Sequence, residues 1–153
     1  MIRVQREDFD VGAELERLTA GNPRIGAVAS FIGLVRNMGG SDRVSALTLE
    51  HYPGMTERKL AEIEAEAHSR WPLDAALIIH RHGRLKPGDR IVLVATASPH
   101  REAALAACHF LIDWLKTEAP FWKSEETPAG ERWVESRAED DAARELWTPA
   151  LKV

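Results

Sequence analysis

The stretch RIVLVATASPHREAALAACHFLIDWLK, residues 90–116, changes its period half-way along. Its first nine residues, RIVLVATAS, are rich in apolar and β-branched residues and read as a strand. From Ser98 the spacing turns helical. Cys108, Leu111, Ile112 and Leu115 fall on one side, while Glu102, His109, Asp113 and Lys116 form a polar stripe at offsets of seven, four and three. Ser98 is the expected N-cap and Pro99 the first helical position, and Pro120 must end the helix. A strand running directly into a long amphipathic helix sets the class as α+β.

Working outward, the same reading places the other elements. A short strand at Ile2 to Gln5 precedes a helix capped by Asp10 and running to about Leu18, closed by Gly21 and Pro23. IGAVASFIGLVR (25–36) and VSALTLEHY (44–52) read as strands, joined by the polar, glycine-containing loop RNMGGSDR. Thr56 is the expected cap of a helix to about Arg70, with Leu60, Ile63 and Ala67 on one face. AALIIHRHG and RIVLVATAS are strands about the turn LKPGD, and FWKSEE and ERWVE form a hairpin through TPAG. No repeat or linker interrupts residues 1–153, so they form one domain. The segment 136–153, acidic and low in apolar residues until Leu146 and Trp147, is expected to be loosely held or to dock on a partner.

Composition narrows the function. The chain has 153 residues, enough to bury a core without staples, and its 44% hydrophobic and 29% charged residues are those of an ordinary globular protein. Its formal charge of −4 argues against a general nucleic-acid binder, although a local basic pocket remains compatible with it. No apolar run approaches a membrane span, and MIRVQREDFD is too charged for a signal peptide, so a cytoplasmic location is expected. The one cysteine, Cys108, excludes an internal disulfide and a multi-cysteine metal site. Its place on the apolar side of a helix marks it as inert packing.

Three groups of residues carry candidate chemistry. SPHRE puts His100 and Arg101 in the first turn of a helix, where the dipole disfavours cations by about 0.3–1 kcal/mol each. An anion held by the free backbone N–H groups would neutralise them, whereas an Arg101 facing solvent or paired with Glu102 needs none. LKTEAPFWKSEE (115–126) sets Lys116 and Lys123 on either side of a proline and a Phe-Trp pair. Lys116 at a helix end is what the dipole prefers anyway. Lys123, on an alternating strand, shares a face with Phe121 rather than Trp122. A lysine partly desolvated or beside a second cation has its pKa lowered and can donate or accept a proton near neutral pH. His80 and His82, two apart on a strand, offer a competing metal site with His51 or His100, but no HExxH or Cys-His cluster supports it, and strand histidines satisfied by hydrogen bonds are the commoner case.

The blocks FIGLVRN, LTLEHYPGMTE, RHGRLKPGD, ASPHREAA and LKTEAPFWKSEETPAGERWVE occur in this order over about residues 28–135. Together they resemble the large, catalytic subunit of molybdopterin synthase. Glu118 and Ser124 stand where relatives often carry basic residues. The resemblance implies a fold of the α/β-hammerhead type, a mixed sheet with flanking helices. It implies a sulfurtransferase that converts cyclic pyranopterin monophosphate to molybdopterin by adding two dithiolene sulfurs. The sulfur would come from the thiocarboxylated Gly-Gly tail of a small ubiquitin-like subunit, with two large subunits forming the homodimer core of a heterotetramer. Neither a cofactor nor a metal is implied. Carried over position by position, Lys116 and Lys123 match the catalytic lysines. Arg36, His100 and Arg101 match substrate-anion contacts, and the binding segments also cover Leu34, Val35, Ser124 and Glu125. The alternative is a non-catalytic anion- or nucleotide-binding module, which would use SPHRE and leave the lysines without a task.

Overall fold

The structure, a computed structural model, describes residues 1–37, 43–134 and 138–148. The elements run β1 (Ile2–Gln5), α1 (Val11–Thr19), β2 (Ala27–Leu34), β3 (Ala46–His51), α2 (Met55–Arg70), β4 (Ala75–Arg81), β5 (Gly83–Leu85), β6 (Arg90–Ser98), α3 (Arg101–Glu118), β7 (Phe121–Thr127), β8 (Gly130–Val134) and α4 (Ala138–Glu145). The expected loop RNMGGSDR is described only at its ends, since residues 38–42 lie outside the described residues.

Two four-stranded sheets result. The first has the order β1-β4-β6-β2 and is mixed: β1 runs parallel to β4, and the other pairings are antiparallel. Over its inner strands β4 and β6 both faces are covered, which is why these two read as continuous apolar runs, whereas the edge strand β2 leaves Val28, Phe31, Ile32 and Leu34 exposed. Ile78, Val92 and Val94 face α2 and α3, packing with Leu60, Ile63, Ala67, Ala104, Cys108, Phe110 and Leu111. Leu77, Ile79, Leu93 and Ala95 face α1 and pack with Phe9. The second sheet, β5-β3-β7-β8, is antiparallel throughout. Its own core is smaller, formed by Val35, Leu47, Leu49 and Leu85. The chain crosses from the first sheet to the second at His82, between β4 and β5.

Local chemistry explains the element ends. Asp10 caps α1 as expected, accepting from the Ala13 amide at 3.0 Å. α2 is capped differently. Gly54, at φ 84°, is its N-cap, and the Glu57 carboxylate accepts from the Gly54 amide at 2.7 Å. Thr56 is instead buried one position into the helix, its hydroxyl accepting from the Tyr52 amide at 3.2 Å and reaching the Pro120 carbonyl at 3.3 Å. α3 also starts later than the sequence suggests. His100 is the N-cap, because Ser98 still belongs to β6 and its hydroxyl donates to the Pro72 carbonyl at 2.9 Å. A side chain on Gly26 would clash with the Pro99 carbonyl, so the glycine lets the start of β2 pass this corner.

α3 lies back along β6. The Thr96 hydroxyl donates to the Ala104 carbonyl at 2.6 Å, and Cys108 sits one helical turn further on, beside Val94. Asp113, expected on the polar stripe, is buried because Trp147 covers it, with the indole N–H donating to its carboxylate at 2.6 Å. Trp147 also packs edge-on against Trp71 and Phe110, and its carbonyl accepts from Arg70 at 2.6 Å. Trp147 is therefore held on the chain's own helices. Residues 135–137 and 149–153 lie outside the described residues.

Candidate functional site

Lys116 is exposed in the last turn of α3, which ends at Glu118 with Ala119 as C-cap. Pro120 cannot continue the helix. The Phe121 amide donates to the Ala119 carbonyl at 2.8 Å, and the Thr56 hydroxyl holds the Pro120 carbonyl, so the corner is fixed. The chain then enters β7, where Lys123 lies opposite Leu49 of β3 and Val134 of β8. Strand alternation puts Phe121, Lys123 and Glu125 on one face with Leu49 and His51, and Trp122, Ser124 and Glu126 on the other.

The charges of both lysines act on His80. This ring is 9% exposed and shares a face of β4 with Ile78, the face that α2 and α3 cover. It is stacked on Phe121 with ring centroids 3.8 Å apart and planes 17° from parallel. Its Nδ1 donates to the Arg81 carbonyl at 2.8 Å. Burial pushes its pKa down to about 4, and the nearby positive charges of Lys123 and Lys116 also oppose its protonation. His80 is thus uncharged at neutral pH, and both lysine charges act on one buried ring.

His51 extends the cluster, its ring 4.3 Å from that of His82 and 6.3 Å from that of Phe121. Glu57 lies 3.8 Å from His51. Burial, followed by His51 and Arg6, lowers the pKa of His82. Among the described residues no three His, Cys, Asp or Glu side chains gather as a metal site. Burial also pushes the Cys108 thiol up to about 11, which fits inert packing.

The remaining expected residues divide. Val35 is buried and tied to the turn before β6, its amide donating to the Asp89 carbonyl at 2.9 Å and its carbonyl accepting from Gly88 at 2.8 Å. Leu34 and Arg36 on either side of it are exposed. Leu34 is paired with Arg90, at the end of the first sheet toward which α3 runs, so Arg36 leaves the sheet at the Lys116 end. Ser124 is buried on the face of β7 away from Lys123. Glu125, on the Lys123 face, pairs with Arg132 at 3.0 Å. Glu118, one turn from the corner, is neutralised by Arg144 and by Lys59 at 3.7 Å.

His100 and Arg101 are exposed at the opposite end of α3 from Lys116. Fifteen residues at about 1.5 Å each separate Arg101 from Lys116 by roughly 22 Å along the axis. One copy of the chain does not bring them into one pocket.

Comparison with known proteins identifies the family. The model of the family described as MoaE protein matches residues 4–118. The chain belongs to this family. It is 58% identical to the molybdopterin synthase catalytic subunit of Ralstonia nicotianae, across 95% of this chain and 83% of that one. The protein of the same name from Escherichia coli is 53% identical, over 95% and 97% of the two chains. Among solved structures, the molybdopterin biosynthesis MoaE protein of Burkholderia ambifaria superposes with a TM-score of 0.83 at 55% identity, covering 96% of this chain and 97% of that one. The hammerhead-type α+β fold expected from the resemblance is the fold found.

Sequence reading weighed His80 as a metal ligand against a strand histidine satisfied by a hydrogen bond, and its Nδ1 bond to the Arg81 carbonyl is the second case. Its stack on Phe121 joins residues of different sheets, which no local spacing in the sequence signals.

Proposed function

We propose that the chain is the catalytic subunit of a molybdopterin synthase and that Lys116 and Lys123 are its catalytic residues. The observation that supports this reading is their convergence on one buried, uncharged ring from two elements joined by a fixed corner. Two ammonium groups in a partly desolvated site stabilise negative charge as it develops and pass protons at little reorganisation cost. In this reading the thiocarboxylated tail of a small ubiquitin-like subunit enters beside Lys116. Its sulfur bonds to a carbon of the pyranopterin side chain as the C–O bond to the cyclic phosphate breaks, the lysines stabilising the charge released, and water then hydrolyses the acyl thioester to return the small subunit's carboxylate. A second thiocarboxylate repeats the transfer, displacing a side-chain oxygen as water, and gives the dithiolene.

Arg36, with the exposed Leu34 and buried Val35 that orient it, serves the substrate anion at the lysine end. Glu125, and Ser124 through its backbone, border Lys123 on β7. His100 and Arg101 sit too far along α3 to serve the same site within one chain, so they reach it from a second copy. This requires a homodimer, with a small subunit at each lysine site completing a heterotetramer. No helix among the described residues is long and apolar enough to cross a membrane, and a lone buried thiol suits the reducing cytoplasm.

The test combines the purified chain with thiocarboxylated small subunit and pyranopterin monophosphate and assays for dithiolene product. Product is expected with the wild-type chain, and its absence with a competent partner overturns the reading. Mixing Lys116→Ala with Arg101→Ala chains, assayed at pyranopterin well below KM where the arginine variant is slow, tests the shared site. Random re-pairing restores one intact site in about half the dimers, or roughly a quarter of wild-type sites. Activity no greater than the sum of the separate variants rules out sharing.

A further inference from the structure

A run of rings crosses from one sheet to the other beside the lysines: His82, His51, Phe121 and His80, with successive centroids 4.3, 6.3 and 3.8 Å apart. Its last contact is a near-parallel stack, and its last ring is anchored by a hydrogen bond from Nδ1 to the Arg81 carbonyl, the one such bond of these rings among the described residues. That bond fixes the plane of the imidazole, because rotation about the side chain would break it. The ring is nearly sealed from solvent, against the α3-facing side of the first sheet. Phe121, which rests on it, is the first residue of β7, directly after the corner that ends α3. It follows Lys116 by five residues and precedes Lys123 by two, on the same face as Lys123. Its ring is where the two lysine-bearing elements are pinned to the core.

We propose that His80 is a positioning residue for the lysine site, holding Phe121 by ring stacking and so fixing Lys123 relative to Lys116. The inference rests on the reading of the lysines as the sulfur-transfer pair. Histidine suits the task because it combines a flat face with an N–H that sets the orientation of that face. Lys116, Lys123 and His51 are the ionisable groups acting on it, and it adds no third positive charge to the site at neutral pH.

The test compares His80→Phe, which keeps a flat ring on Phe121, with His80→Leu, which keeps apolar bulk without the ring. Steady-state dithiolene formation is expected to lose about 10- to 100-fold in kcat in the leucine variant, with KM within about threefold, since small misplacements of catalytic groups cost this much. The phenylalanine variant is expected to keep kcat within about fivefold of wild type. A second readout does not depend on turnover: acylation of Lys123 by an amine-selective ester, measured by mass spectrometry against exposed Lys86 in the same molecule. The Lys123 to Lys86 ratio is expected to shift about threefold or more in the leucine variant and much less in the phenylalanine variant. Should His80→Leu fail to fold, Phe121→Leu removes the same stack from the other side and must reproduce the shift. Equal behaviour of the leucine and phenylalanine variants in both readouts overturns the proposal. If the wild-type chain forms no product at all, the sulfur-transfer reading fails, while the acylation ratios still decide whether His80 positions Lys123.

Discussion

The two ends of α3 hold cations for opposite reasons. Lys116 lies in the last turn, where the helix dipole favours a positive charge, and the chain leaving it is clamped at Pro120 and pinned through Phe121 to His80. His100 and Arg101 lie at the start, where the dipole disfavours them, exposed and without an ion-pair partner among the described residues. One end is a built site within a single chain. The other sets a histidine and an arginine at a free helix start, about 22 Å from the lysine along the axis. In the function proposed, the contrast separates catalytic groups, which need a rigid setting, from substrate-holding groups, which a second copy can present.

The strongest way to break this contrast is Lys116→Ala. Loss of a positioned proton donor is expected to lower turnover by about 10²- to 10⁴-fold, while an exposed helix-end substitution shifts stability by no more than about 0.5 kcal/mol. Product assays alongside thermal unfolding check both halves. Phe110→Ala acts between the two ends. Phe110 is wholly buried against Trp71 and Trp114, so its removal is expected to cost about 3–5 kcal/mol by chemical denaturation.

Acid tests the lysine end alone. His80 has a folded pKa of about 4 against an ordinary 6.5, so the unfolded chain takes up its proton first. The stability due to its burial as an uncharged ring is complete above about pH 6.5 and falls as pH drops toward 4, by at most about 3 kcal/mol. Denaturation midpoints at neutral pH and near pH 4.5 should show this loss in the wild type and a smaller one in His80→Phe. Arg101→Ala tests the other end. It is expected to raise KM for the pyranopterin about tenfold, the scale of one charge-assisted hydrogen bond, with kcat little changed. A dominant kcat effect would assign Arg101 to the reaction rather than to substrate holding. The smallest effect belongs to Cys108→Ala, at about 1 kcal/mol of stability with unchanged turnover, since a buried thiol with a raised pKa takes no part in sulfur chemistry.

Much of the fold was legible before the structure. The β6-to-α3 change of period, the Asp10 cap, the Leu60–Ile63–Ala67 face and the closing hairpin all rest on spacing and propensity, which act locally. Caps decided by neighbours were not legible. Ser98 is spent on the Pro72 carbonyl and Thr56 on Pro120, both distant in sequence, so the helices begin at His100 and Gly54 caps instead. Asp113 looked exposed because the tryptophan that buries it lies 34 residues further on.

The sequence by itself determined the α+β class, the family, the inert cysteine and the two lysines as a pair worth testing, because each follows from residue type at short spacing or from long matching blocks. Tertiary structure decided that the lysines converge on His80 while His100 and Arg101 lie about 22 Å away along their helix. The physical reason is that convergence depends on where two sheets and a corner meet, a property of packed elements that no stretch of sequence contains.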